Sequence, residues 1–201
     1  MNSKKKDSSL NPDLINIIRF SAKDILNSND IIDALNGTTL VLTIDELIMK
    51  TLMRALDESG NQIILYIKTK NKYGHFISII RFQDHIEVFD PYGLIYPKNT
   101  KLLNTNLDLT DLTNLFKILS LENVRYNRFH FQKLNPEINT CSRFCILRII
   151  FKYYSLDRFH AMLGSNSDFM ATALTLLIAP NKYLNIKRDQ INPNERLQIK
   201  N

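Results

Sequence analysis

From Phe144 to Tyr154 almost every residue is apolar, and the interruptions at Arg143, Arg148 and Lys152 fall at helical spacing. That pattern predicts a buried central helix with one narrow wet stripe. Thr140 or Asn139 is its expected cap, and Cys141 falls in its first turn. Upstream, Gln62–Lys68 is rich in Ile, Leu and Tyr and His75–Phe82 is β-branched and aromatic, with a polar turn over Lys70–Tyr73 between them. Together with a short return run, Ile86–Phe89, they predict strands, the last two joined at Gln83-Asp84-His85. Asp90-Pro91-Tyr92-Gly93 ends that hairpin, and Leu94–Asn106 is expected to be loop. Val124–Gln132 predicts one more strand.

The remaining segments predict helices. Short ones are expected at Leu14–Phe20, Ala22–Leu26 and Ile31–Leu35, stopped by Asn36-Gly37. Thr43 and Glu46 form a capping-box pattern. Behind it Ile44, Leu47, Ile48, Leu52, Ala55 and Leu56 line one face of a helix that Gly60 closes. Leu107–Leu121 and Asp168–Ala179 complete the set, the latter stopped by Pro180. The order is helices, a hairpin-rich sheet, a helix, a strand and the central helix. This predicts an α+β fold, and no repeat or composition shift divides residues 1–201 into two domains. Residues 1–13 are expected to be a loose arm and 183–201 a polar tail.

Composition narrows the picture modestly. The chain has 201 residues, 44% of them apolar, enough for one sizeable core. No run of about 18 apolar residues predicts a membrane span. The basic, polar start MNSKKKDSSLNPD leads into no signal-peptide core. Two cysteines four positions apart on one helix are poorly placed to bridge each other, which favours a reducing compartment. The net charge of +6 is uneven. Lys117 to Arg158 holds eight Lys or Arg against three acids, and Lys182 to Asn201 five against two. Such a surface concentrates polyanions such as nucleic acid.

Cys145, inside the apolar run, reads as a core residue. Cys141, at a loop–helix junction, is open to either a core or a nucleophilic reading, because a helix start favours a thiolate. A cysteine nucleophile needs a base within reach and a group that orients it. A hairpin turning at 83–85 returns Asp90 to the same end as His75. His85 lies at the opposite end, while His130 and His160 read as surface or half-buried polar residues. Gln132 stands where a strand end returns toward Cys141, so its amide could join the Cys141 N–H in an oxyanion hole. A zinc site is disfavoured, since Cys141 and Cys145 lack a second ligand pair.

Gly74-His75-Phe76, Phe89-Asp90-Pro91-Tyr92-Gly93, Phe131-Gln132 and Cys141-Ser142-Arg143-Phe144-Cys145, in that order, resemble the adenovirus-type (adenain-like) cysteine proteases. These are grouped with the SUMO-specific and ubiquitin-like-protein proteases, and the likeness is greatest to versions from virophages, Maverick-type elements and large DNA viruses of protists. It spans roughly Gln62 to Tyr154. The resemblance implies His75 as general base, Asp90 as its orienting acid, Gln132 as oxyanion-hole residue and Cys141 as nucleophile. It also implies a mixed, mostly antiparallel sheet flanked by helices. Two positions depart from the pattern: Phe76 stands where Trp is usual, and Ser142 where Gly is usual.

The implied activity is a cysteine endopeptidase that processes viral capsid and core precursors, in the virion and the infected host cell. The chemistry needs no cofactor or metal, and DNA or a peptide is the expected activator. The alternatives are a deconjugase of ubiquitin-like proteins and a catalytically inactive, basic DNA-binding or scaffold protein.

Overall fold

The computed structural model describes residues 12–69, 74–95, 107–133, 135 and 137–178. The arm before Pro12, the turn at 70–73, most of the 94–106 loop, the Pro180 stop and the polar tail lie outside them. The described residues form helices and a mixed five-stranded sheet, hence α+β. The helices are α1 Pro12–Ser21, α2 Ser28–Ala34, α3 Ile44–Lys50, α4 Leu52–Glu58, α5 Leu109–Leu119, α6 Cys141–Ile150, α7 Leu156–Leu163 and α8 Ser167–Ile178. The strands are β1 Leu40–Thr43, β2 Gln62–Ile67, β3 His75–Arg81, β4 Ile86–Phe89 and β5 Val124–Tyr126, in spatial order of sequence. The three central strands are antiparallel, and β1 and β5 pair parallel to β2 and β4 at the edges.

Alternation along the strands sorts side chains to two faces. Ile63, Leu65, Ile67, Ile77, Ile79, Ile86 and Val88 meet α3, α4 and α5 on one. Ile64, Phe76 and Ile80 meet α2 and α6 on the other. Behind α6, Phe144 and Leu147 join Phe89, Phe131, Phe159, Leu163 and Ala171, so α7 and α8 cover its far side. Helix α6 is thus a buried central helix, as predicted, with Ile150 at its end exposed.

Its polar residues are another matter. Arg143 and Arg148 are buried, at 0% and 2% exposure, so the expected wet stripe is dry. Arg143 donates through Nη2 to the Ser21 carbonyl at 2.9 Å. Arg148 grips both carboxylate oxygens of Glu87 on β4 at 2.6 and 2.8 Å. Neither cation faces solvent, so six of the eight counted between Lys117 and Arg158 are left for a basic surface.

Several boundaries differ from the sequence expectation for physical reasons. Thr51, at φ +67°, breaks the single helix expected after the Thr43–Glu46 capping box into α3 and α4. The break leaves Ile48 half exposed while Leu52, Ala55 and Leu56 stay in the core. The segment after Ser21 turns without continuing as a helix to Leu26. Strand β1, only four residues long, is unanticipated, as is α7. The strand expected over Val124–Gln132 stops at Tyr126, because Asn127 turns inward to bond the backbone of Asp90.

Candidate active site

Three of the four residues singled out by sequence meet at one end of the sheet. His75 opens β3, Asp90 follows β4, and the β3–β4 pairing of Ser78 with Phe89 returns one to the other. His75 Nε2 lies 2.7 Å from Asp90 Oδ1, with side-chain exposures of 3% and 1%. Cys141 is half-buried at the start of α6, close enough to the imidazole to interact with it. The other ring nitrogen, Nδ1, has no well-formed hydrogen bond, although Cys141 is near enough to act on the ring.

The carboxylate is held mainly by backbone. The Tyr92 N–H donates to Oδ1 at 2.9 Å, and those of Leu94 and Ile95 donate to Oδ2 at 2.7 and 2.9 Å. The Asp90-Pro91-Tyr92-Gly93 turn wraps its own first residue. Gly93 permits this: it sits at φ +63°, and a Cβ there would lie 2.4 Å from the Phe129 carbonyl oxygen. Asn127 fixes the Asp90 backbone, accepting its N–H and donating to its carbonyl, both at 2.7 Å. Tyr92 stacks on the imidazole at 4.6 Å between centroids.

The electrostatics follow from this enclosure. Burial pushes His75 down, but the Asp90 carboxylate and then Cys141 outweigh it, raising the imidazole from 6.5 to about 10. Burial pushes Asp90 up, yet His75 and the N–H groups of Ile95 and Leu94 hold it below its usual range. Burial also pushes the Cys145 thiol well up, and its Sγ rests 3.4 Å from the Phe76 carbonyl oxygen. Cys145 is thus a core residue, as read from the sequence, and Cys141 is the thiol at the site.

Gln132 stands differently. It is 2% exposed, and its Nε2 donates to the Ile138 carbonyl at 3.1 Å, tying it to the loop that enters α6. It lines a cavity of about 770 Å³ with His130, Lys133 and His160 rather than the cleft at Cys141. That cleft, about 570 Å³, is walled by Ile25–Ser28, Val41–Thr43, Glu46, Tyr66, Gly74, Phe76 and Asn139 with Cys141 and Ser142. A Cβ on Gly74 would lie 1.6 Å from the Tyr66 ring, so this residue before His75 lets the ring close over the strand start.

Thr140 precedes α6, but neither it nor Asn139 caps the helix by side chain as expected. The Asn139 amide donates to the Lys23 carbonyl, and the Thr140 hydroxyl donates to Asp168 Oδ1 at 2.6 Å. Forgoing a cap costs about 1 kcal/mol. Burial of Phe144, Ile146, Leu147 and Ile149 contributes roughly 1.5–3 kcal/mol each and outweighs it. Asn127 and Asp168 are the site residues that sequence reasoning missed. His85 pairs with Asp84 at the far end of the hairpin, His130 donates to the Tyr92 carbonyl, and His160 stacks on Phe129. Among the described residues, no three His, Cys, Asp or Glu are grouped to hold a metal, and no helix is long and apolar enough to cross a membrane.

No protein-family model matches the chain. Among solved structures it is similar to HopZ1a in complex with IP6, at 13% identity and a TM-score of 0.41, over 75% of this chain. The chain spans 59% of the length of HopZ1a. It is also similar to the SUMO protease Ulp1 with its catalytic cysteine oxidised to a sulfinic acid, at 13% identity and a TM-score of 0.40. That match covers 86% of this chain and 96% of Ulp1. Among curated proteins, the uncharacterized protein V9 of Sputnik virophage is 30% identical over 151 residues, which cover 71% of this chain and 85% of V9. The chain therefore belongs to the same family as this virophage protein.

Proposed function

We propose that the chain is a cysteine peptidase in which Cys141 is the nucleophile, His75 the base and Asp90 the group that orients it. One observation carries this reading: the buried Asp90–His75 pair uses Nε2 and leaves Nδ1 without a matched bond, while Cys141 at a helix start is near enough to act on the ring. A histidine serving only the core would have both nitrogens matched. Nδ1 takes the thiol proton, and the thiolate attacks the scissile carbonyl carbon. The developing oxyanion is met by the Cys141 N–H at a first helical position, and the Gln132 amide joins it by swinging from Ile138 O toward the cleft. The imidazolium then protonates the leaving amine, and water, deprotonated by His75, releases the acyl group.

Kinship with a virophage protein supports capsid or core precursors as substrates, and the remaining basic surface supports DNA as an activator. Incubating wild type and Cys141→Ala with precursor proteins of the parent virus tests the whole reading. Cuts made at defined sites only by wild type are expected. Cutting by both proteins would remove Cys141 from its role. Cleavage of a ubiquitin-like conjugate instead would keep the chemistry and replace the substrate. A rate insensitive to salt and to added DNA would remove the activator.

A further inference from the structure

The Asp168 carboxylate, in the first turn of α8, is 5% exposed and has no place in the reaction described above. Oδ1 accepts the Thr140 hydroxyl at 2.6 Å, and Oδ2 accepts the Lys133 N–H at 3.2 Å. Thr140 directly precedes Cys141, and Lys133 directly follows Gln132. The two segments so joined carry the two proposed oxyanion donors, the Cys141 N–H and the Gln132 amide. Other bonds converge on the same place. The Ser167 hydroxyl donates to the Phe131 carbonyl, and the Phe131 and Gln132 N–H groups both donate to Pro91 O at 2.9 Å. The Gln132 amide closes the ring through Ile138 O.

We propose that Asp168 is a positioning residue that ties the start of α6, and with it the Cys141 N–H that meets the oxyanion, to the segment carrying Gln132. This rests on the peptidase reading. A carboxylate suits the task because both of its oxygens accept, while the helix start around it favours its negative charge. An amide in its place would accept one of these bonds and set an NH2 against the other donor. The loss would fall on the tetrahedral stage, where a displacement of about 1 Å costs on the order of 100-fold in rate. Formation of the Cys141–His75 pair does not involve Asp168.

The test uses the full chain, with N-acetylglycine p-nitrophenyl ester as substrate, acetyl-glycinal as the aldehyde inhibitor and iodoacetamide as the alkylating probe. Asp168→Asn is expected to lower kcat roughly 10–100-fold with KM within about twofold. Affinity for the aldehyde, whose adduct carries the oxyanion, falls in step with kcat/KM. The alkylation rate of Cys141, which needs no oxyanion hole, stays at the wild-type value. Thr140→Val repeats the loss, and Thr140→Ser recovers most of it. A folded Asp168→Asn protein with wild-type kcat, or one in which alkylation and turnover fall together, overturns the proposal and leaves the peptidase reading standing. Wild type that neither turns over the ester nor alkylates at Cys141 removes the peptidase reading and this inference with it.

Discussion

Two buried charged pairs lie beside helix α6, one joining its Arg148 to β4 and one within the sheet near its start, and they differ in what they leave over. Toward the C-terminal end, Arg148 uses all five of its N–H donors, on Glu87 and on the carbonyls of Phe151, Lys152 and Tyr154. At the N-terminal end Asp90 is saturated, but its partner His75 keeps one nitrogen without a matched bond. Both pairs are dry, but Arg148–Glu87 binds α6 to β4, whereas His75–Asp90 joins the start of β3 to the end of β4. The two pairs are equally buried, and they differ in that the Arg148 donors are all matched and His75 Nδ1 is not.

The largest effect that would sharpen this contrast is on turnover. Cys141→Ala and His75→Ala should each lower kcat by about 10⁴-fold or more, and Cys141→Ala should leave the thermal midpoint near wild type. Comparable loss of rate in Arg148→Met, with its fold intact, would break the contrast. The expected result for Arg148→Met is instead a fall of about 3–5 kcal/mol in denaturant-measured stability, because Glu87 is left buried and alone. Pairing it with Glu87→Leu should restore most of that loss.

Asn127→Ala should come next. It strands the Asp90 N–H and leaves the Asp90 carbonyl only the Gly93 N–H, which costs about 1–3 kcal/mol of stability. It should also reduce turnover, since the carboxylate that orients His75 loses its anchor. The smallest effect is on the pH profile of stability. The His75 imidazole is raised from 6.5 to about 10, so its pairing contributes fully below pH 6.5 and is lost as pH rises toward about 10. Thermal midpoints of wild type should decline across that window more steeply than those of His75→Gln. The Arg148 end should add nothing to the slope, because a guanidinium keeps its charge throughout.

What the sequence disclosed divides along the same line of local and distant causes. The hairpin that unites His75 with Asp90 was legible because strand alternation and turn residues are written in one stretch. The Thr43–Glu46 capping box was legible for the same reason. The two arginines of α6 were misread as a solvent stripe because their partners, Ser21 and Glu87, lie far away in sequence. Asp168 and Asn127 were missed likewise, each reaching across the fold to a backbone or hydroxyl group that carries no side-chain signature. Strand β1 is too short to show a period, and the apolar spacing from Ile44 to Leu56 runs unbroken past the left-handed turn at Thr51.

The wrapping of Asp90 by the N–H groups of Tyr92, Leu94 and Ile95 has a consequence for how this site can drift over generations. Main-chain donors are untouched by most exchanges of side chain, so positions 92, 94 and 95 can change identity while the carboxylate keeps its donors. The vulnerability is concentrated at Gly93, where any side chain would strike the Phe129 carbonyl. Lineages that diverge widely in the residues around the acid should therefore still agree on the glycine three places after it.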